Sequence, residues 1–89
     1  MNKAEFHLSL FCKNTRYLRQ KNNMSQEDVS KAYQCCKSTL SKYESEKAKR
    51  LDAEILLRAS SLWKCSPETL VCIDLKKAEE KGESIPCQK

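Results

Sequence analysis

From Ser25 to Lys47 the chain reads SQEDVSKAYQCCKSTLSKYESEK. Ser25 is a good helix N-cap, Glu27 and Asp28 place negative charge in the first turn that follows, and Val29, Ala32 and Tyr33 recur at three- and four-residue intervals. The spacing predicts a short helix over Gln26–Tyr33. After Gln34, Cys35 and Cys36 a second short run opens at Lys37, with Leu40 and Tyr43 facing inward before Glu44. Two short helices are therefore joined by about three residues, too few for anything but a tight turn.

Outward from this pair the pattern stays helical. Phe6, Leu10, Phe11, Tyr17 and Leu18 sit at helix-compatible spacing with Lys13, Arg16, Arg19 and Lys21 between them, which predicts a first helix from about Phe6 to Asn22. Asn22-Asn23 marks its end, because asparagine tolerates the left-handed conformation that closes a helix, and Met24 then enters the core. On the C-terminal side, Asp52 caps a run through Ile55, Leu56, Ala59, Leu62 and Trp63. Ser66-Pro67-Glu68 supplies cap, N1 proline and first-turn acid for a fifth helix carrying Leu70, Val71, Ile73 and Leu75. Charge dominates from Lys76 to Lys89, with Gly82 and Pro86 interrupting regular structure, so residues 76–89 read as a polar tail, flexible or briefly extending the fifth helix.

Eighty-nine residues hold one small domain, and a single glycine with two prolines leaves little material for β-hairpins. The expectation is an all-α fold, with a domain over residues 1–75 and the tail after it. No apolar run is long enough to span a bilayer, and Met1 to Leu10 carry Glu5, His7 and Ser9 where a secretion signal would be apolar, so a cytoplasmic protein is expected, with no membrane partner. In that setting the six cysteines, Cys12, Cys35, Cys36, Cys65, Cys72 and Cys87, are read as reduced thiols. They lack paired Cys-x-x-Cys spacing, so neither a metal site nor a cofactor is expected. Cys36, at a predicted helix N-terminus, has the setting for a lowered thiol pKa and oxidation sensing; the alternative is a small, mostly buried hydrophobe. His7 has no evident acid or nucleophile partner, and no enzyme constellation emerges.

The net charge of +5 suits a polyanionic partner only where it is concentrated. The run after the turn would bury Leu40 and Tyr43 while exposing Lys37, Ser38, Thr39 and Lys42. An exposed helix of this kind fits a DNA major groove about 12 Å wide, where lysine reaches guanine acceptors, hydroxyls reach base edges and a threonine methyl meets thymine. The alternative is a solvated helix face. Gln26, at the start of its helix, can present its amide and free backbone N–H groups to a phosphate, and the Lys47, Lys49 and Arg50 run is either a phosphate-contacting or a plain solvated loop.

The stretch Ser25–Lys47 resembles the helix-turn-helix of the lambda-type phage repressors and Xre/Cro-like regulators, and the likeness extends to about Val71. Ser25-Gln26 matches the family's opening, Val29-Ser30 its apolar-small pair, Ser38-Thr39-Leu40-Ser41 its Ser-Thr-apolar-Ser core, and Glu44 its helix-ending glutamate. The chain departs from the pattern at Gln34 and Glu46, which replace glycines, and at Cys36, which replaces a capping hydroxyl residue. In the turn at Gln34, a non-glycine residue held at positive φ costs about 1 kcal/mol, while Glu46 adds a negative charge near the expected phosphates.

The resemblance implies a five-helix lambda-repressor-like bundle and a homodimeric, sequence-specific repressor of phage or mobile-element type that binds a palindromic operator. It assigns base contacts to Lys37, Ser38, Thr39 and Lys42, phosphate contacts to Gln26, Ser45, Lys47 and Lys49, and an ion pair to Arg19 and Glu44. So small a core cannot bury every apolar residue of the fourth and fifth helices, so some of Trp63, Leu70, Val71, Ile73 and Leu75 are expected at a dimer interface in the region of the fifth helix. The alternative from another class is a helical protein-interaction module, such as an antitoxin whose partner docks on the fifth helix and the tail.

Overall fold

The structure, a computed structural model, describes residues 3–82, with side chains from Phe6 onward. Cys87 and the part of the predicted tail over 83–89 lie outside the described residues. Those described form six helices and no strand: α1 Lys3–Lys21, α2 Gln26–Tyr33, α3 Lys37–Glu44, α4 Ala53–Trp63, α5 Pro67–Cys72 and α6 Leu75–Glu80. The all-helical reading holds.

The helix starts lie where capping chemistry puts them. Ser25 Oγ accepts from Asp28 N while Asp28 reaches back to Ser25 N, a reciprocal capping box. Asp52 accepts from Glu54 N and Ile55 N, and Ser66 accepts from Thr69 N with Pro67 behind it. Three non-glycine residues close helices in the left-handed region: Asn23 at φ 56°, Gln34 at 57° and Lys64 at 54°. Gln34 N–H and Cys35 N–H donate to Lys31 O and Ser30 O, and these bonds offset the strain of the turn between α2 and α3.

Every helix contributes to one core. Phe11 and Leu18 come from α1, Val29 and Tyr33 from α2, Leu40 and Tyr43 from α3, Ile55, Ala59 and Trp63 from α4, Leu70 from α5 and Leu75 from α6. Tyr33 and Trp63 are buried with their polar ends joined, Trp63 Nε1 donating to Tyr33 Oη at 2.8 Å. That bond removes the penalty of burying either group and locks α2 to α4. Phe6, expected on the inward face of α1, is instead 47% exposed, because it lies a full turn beyond the layer that Leu10 and Phe11 enter.

The C-terminal third differs from a single fifth helix followed by a tail. Ile73 is extended (φ −115°, ψ 131°), and Asp74 caps a new helix by accepting from Lys77 N. Asn14 of α1 holds this break. Its Nδ2 donates to Leu70 O at 2.7 Å and Ile73 O at 2.6 Å, and its Oδ1 accepts from Leu75 N at 3.0 Å. One buried side chain thus satisfies the end of α5 and the start of α6, and α6 then buries Leu75 and Ala78. It opens one residue before the 75/76 boundary at which the sequence places the tail.

Candidate nucleic-acid interface

The position of α3 follows from its inward residues. Leu40, Tyr43 and Glu44 are buried, and Phe11 meets Tyr43 edge-on with ring centroids 5.8 Å apart. On the opposite face Lys37, Ser38, Ser41, Lys42 and Ser45 are exposed, and Thr39 is half-buried. Ser38, Ser41, Lys42 and Ser45 fall at i, i+3, i+4 and i+7, one continuous helical stripe. Ser41 belongs to this stripe although sequence reasoning did not include it among the candidates; the same periodicity applied to the outward residues would have found it.

Glu44 anchors the helix electrostatically. Arg19 Nε donates to Glu44 Oε2 at 2.7 Å and Arg19 Nη2 to Oε1 at 2.9 Å, with Gln26 Nε2 donating to Oε1 at 3.0 Å. The carboxylate is 6% exposed and receives three donors. Arg19 Nη1 also donates to Met24 O, so one guanidinium ties α1, the loop before α2 and α3 together.

The residues expected to meet phosphate divide into two places. Gln26 and Ser45 share a cleft of about 260 Å³ with Arg16, Arg19, Ser41 and Glu44. Ser45 Oγ already donates to Ser41 O at 2.9 Å, so donating to a phosphate requires breaking that bond. Gln26 spends one amide hydrogen on Glu44 and retains the other. Lys47 and Lys49 lie on the following loop, both exposed. Tyr43 holds that loop in place: its hydroxyl donates to Arg50 O and accepts from Asp52 N. Glu46 opens the loop at φ 61°, the left-handed position at which the resembled family carries glycine, and its carboxylate accepts from Ser9 Oγ at 3.2 Å.

At the other end of α3, Cys36 is the N-cap but makes no side-chain capping bond to the backbone. Its Sγ lies 3.3 Å from Thr39 Oγ1 and accepts from Ser38 Oγ at 3.5 Å. Hydrogen bonding from Thr39, and then from Ser38, lowers the thiol pKa from 9.0 to about 7. Two of the expected base-reading hydroxyls are therefore oriented toward sulfur. Cys12 shows the opposite influence, since burial pushes its thiol up to about 12. His7 Nε2 lies 3.9 Å from Cys72 Sγ, a neighbour the sequence did not reveal. No group of three or more metal-ligating side chains occurs among the described residues. No described helix is long and apolar enough to cross a membrane.

Comparison with known proteins agrees with this geometry. The family model of the Cro/C1-type HTH DNA-binding domain matches residues 15–74, which include the last turns of α1 and all of α2 to α5. No curated protein and no solved structure gives a match.

Proposed function

The chain belongs to the Cro/C1-type helix-turn-helix DNA-binding domain family and is a DNA-binding regulator, and from that premise we propose that it is a homodimeric transcriptional repressor of phage or mobile-element type. It works in the cytoplasm on palindromic operators without catalysing a reaction. The observation that carries this reading is the division of α3 into a buried face of Leu40, Tyr43 and Glu44 and an exposed face bearing Lys37, Ser38, Ser41 and Lys42. Such a helix is held by its inward residues and turns lysine and hydroxyl donors outward, toward a groove. In this reading Lys37, Ser38, Thr39 and Lys42 meet base edges, while Gln26, Ser45, Lys47 and Lys49 meet the backbone. Thr39 and Ser38 exchange their contacts with Cys36 for contacts with bases.

Dimerisation in this reading uses the end of α5. Trp63, Leu70 and Leu75 are core residues, whereas Ile73 is 38% exposed beside exposed Cys72 and half-buried Val71. Pairing two copies there doubles the number of bases read and sets half-sites about one DNA turn, roughly 34 Å, apart. The test is selection of bound sequences from a random duplex pool at two salt concentrations, with Lys37→Ala alongside. An enriched palindrome that Lys37→Ala fails to enrich supports the reading. Absence of enrichment at both salt concentrations overturns it.

A further inference from the structure

We propose that Arg16 of α1, together with Ser41 and Gln26, forms a binding site for a DNA backbone phosphodiester at the edge of α3, so that α1 contacts the duplex directly. The inference rests on the DNA-binding reading and adds a contact that the helix-turn-helix stretch does not contain. Arg16 is exposed and borders two adjoining cavities. One is the cleft of about 260 Å³ whose other walls are Arg19, Gln26, Ser41, Glu44 and Ser45. The second, of about 420 Å³, lies between α1 and α6 and includes Lys13, Lys76 and Lys77 together with Glu46, Asp74 and Glu80.

Charge balance within the cleft singles out Arg16. Two arginines and one glutamate line it. Glu44 is neutralised by the two-point contact from Arg19 and receives a third donor from Gln26. Within this cleft the charge of Arg16 is left uncompensated, and Arg16 forms no ion pair among the described residues. Of the carboxylates that share the second cavity with it, Glu46 accepts from Ser9 Oγ and Asp74 from Lys77 N, and neither these nor Glu80 pairs with Arg16. A guanidinium presents a planar fork that matches two phosphate oxygens, and the exposed hydroxyl of Ser41 and the remaining amide hydrogen of Gln26 open on the same cleft. A phosphodiester seated there would lie against the outward stripe of α3, where the backbone flanking an occupied major groove must run. Because the site combines α1, α2 and α3, it would fix the angle at which α3 enters the groove.

The experiment measures affinity of the full chain for its selected operator and for a random duplex as salt is varied, for wild type, Arg16→Gln, Arg16→Lys and Lys64→Gln. Each phosphate neutralised contributes about 0.9 to the slope of log affinity against log salt. Arg16→Gln is expected to reduce the slope by about that amount on both duplexes, with the operator-to-random ratio and Tm unchanged. Arg16→Lys should keep the slope but weaken binding, since the point charge remains and the fork is lost. Lys64→Gln, on the C-cap of α4, should change neither. An unchanged slope for Arg16→Gln, or a loss of discrimination in its place, overturns the proposal. Failure of the wild-type chain to bind any duplex would instead count against the DNA-binding reading itself.

Discussion

Arg19 and Glu44 stand 25 residues apart in sequence and meet through two parallel hydrogen bonds of 2.7 and 2.9 Å, closing α1 onto α3. With Glu44 only 6% exposed, removing the arginine strands a buried carboxylate with Gln26 as its one remaining donor. Arg19→Ala should therefore cost about 3 kcal/mol, visible as a fall in Tm of ten degrees or more. The double variant Arg19→Met/Glu44→Leu should recover much of that loss, because no charge is then left unpaired. An unchanged Tm for Arg19→Ala would show that the pair does not support the fold.

Asn14 makes three hydrogen bonds to backbone groups at the junction of α5 and α6. Asn14→Leu keeps the approximate volume but leaves two carbonyls and one N–H without partners, at about 1–3 kcal/mol for each group that water cannot reach. Thermal melting should shift down, and hydrogen exchange at Leu75 and along α6 should accelerate before the rest of the domain. Uniform exchange throughout the molecule would argue that α6 unfolds with the core and not from this junction.

Glu46 adopts φ 61° and carries a negative charge immediately after the proposed DNA-reading helix. Glu46→Gly removes both features. Relief of the left-handed strain, less the greater freedom of glycine in the unfolded chain, should raise stability by about 0.5–1 kcal/mol, several degrees in Tm. DNA affinity should rise as well, most at low salt where charges are least screened. A stabilised variant with unaltered affinity would place Glu46 away from the phosphates.

Cys36 and Cys12 should differ sharply toward an alkylating reagent, because the thiolate is the reactive form. With a pKa lowered to about 7, the exposed Cys36 gains thiolate as pH rises through that value. Its alkylation rate should follow, levelling off above it. Cys12 is buried, with a pKa near 12, and should not react until the chain unfolds. Peptide mapping by mass spectrometry after timed iodoacetamide treatment measures both. Modification at Cys36 should also abolish DNA binding, since the adduct would project at the N-terminus of α3 beside Ser38 and Thr39; an alkylated chain with full affinity would place this end of α3 outside the groove.

The helix-turn-helix was legible because its signals are local. Ser25, Asp52 and Ser66 each cap the next helix through atoms two or three residues away, and Leu40 and Tyr43 announce an inward face by spacing alone. The departures at Gln34 and Glu46 were legible as well, and both residues do take the left-handed conformation. The division of α5 from α6 was not. Ile73 and Asp74 could have continued one helix, and the competing hydrogen bonds come from Asn14, about sixty positions earlier. The cleft shared by Arg16, Ser41 and Gln26 was equally hidden, since its three members lie on three different helices.

What the sequence by itself determined is what short-range chemistry specifies: helical class, the tight turn between α2 and α3, the residues that point outward from α3, and membership of a recognisable pattern. Tertiary structure alone decided where the remote polar groups went: Asn14 to a helix junction, Glu46 to Ser9, and Gln26 to Glu44. The physical reason is that caps and helical periodicity act within one or two turns of chain. A buried polar group takes whichever partner the packed core brings within about 3 Å, and sequence distance does not constrain that choice.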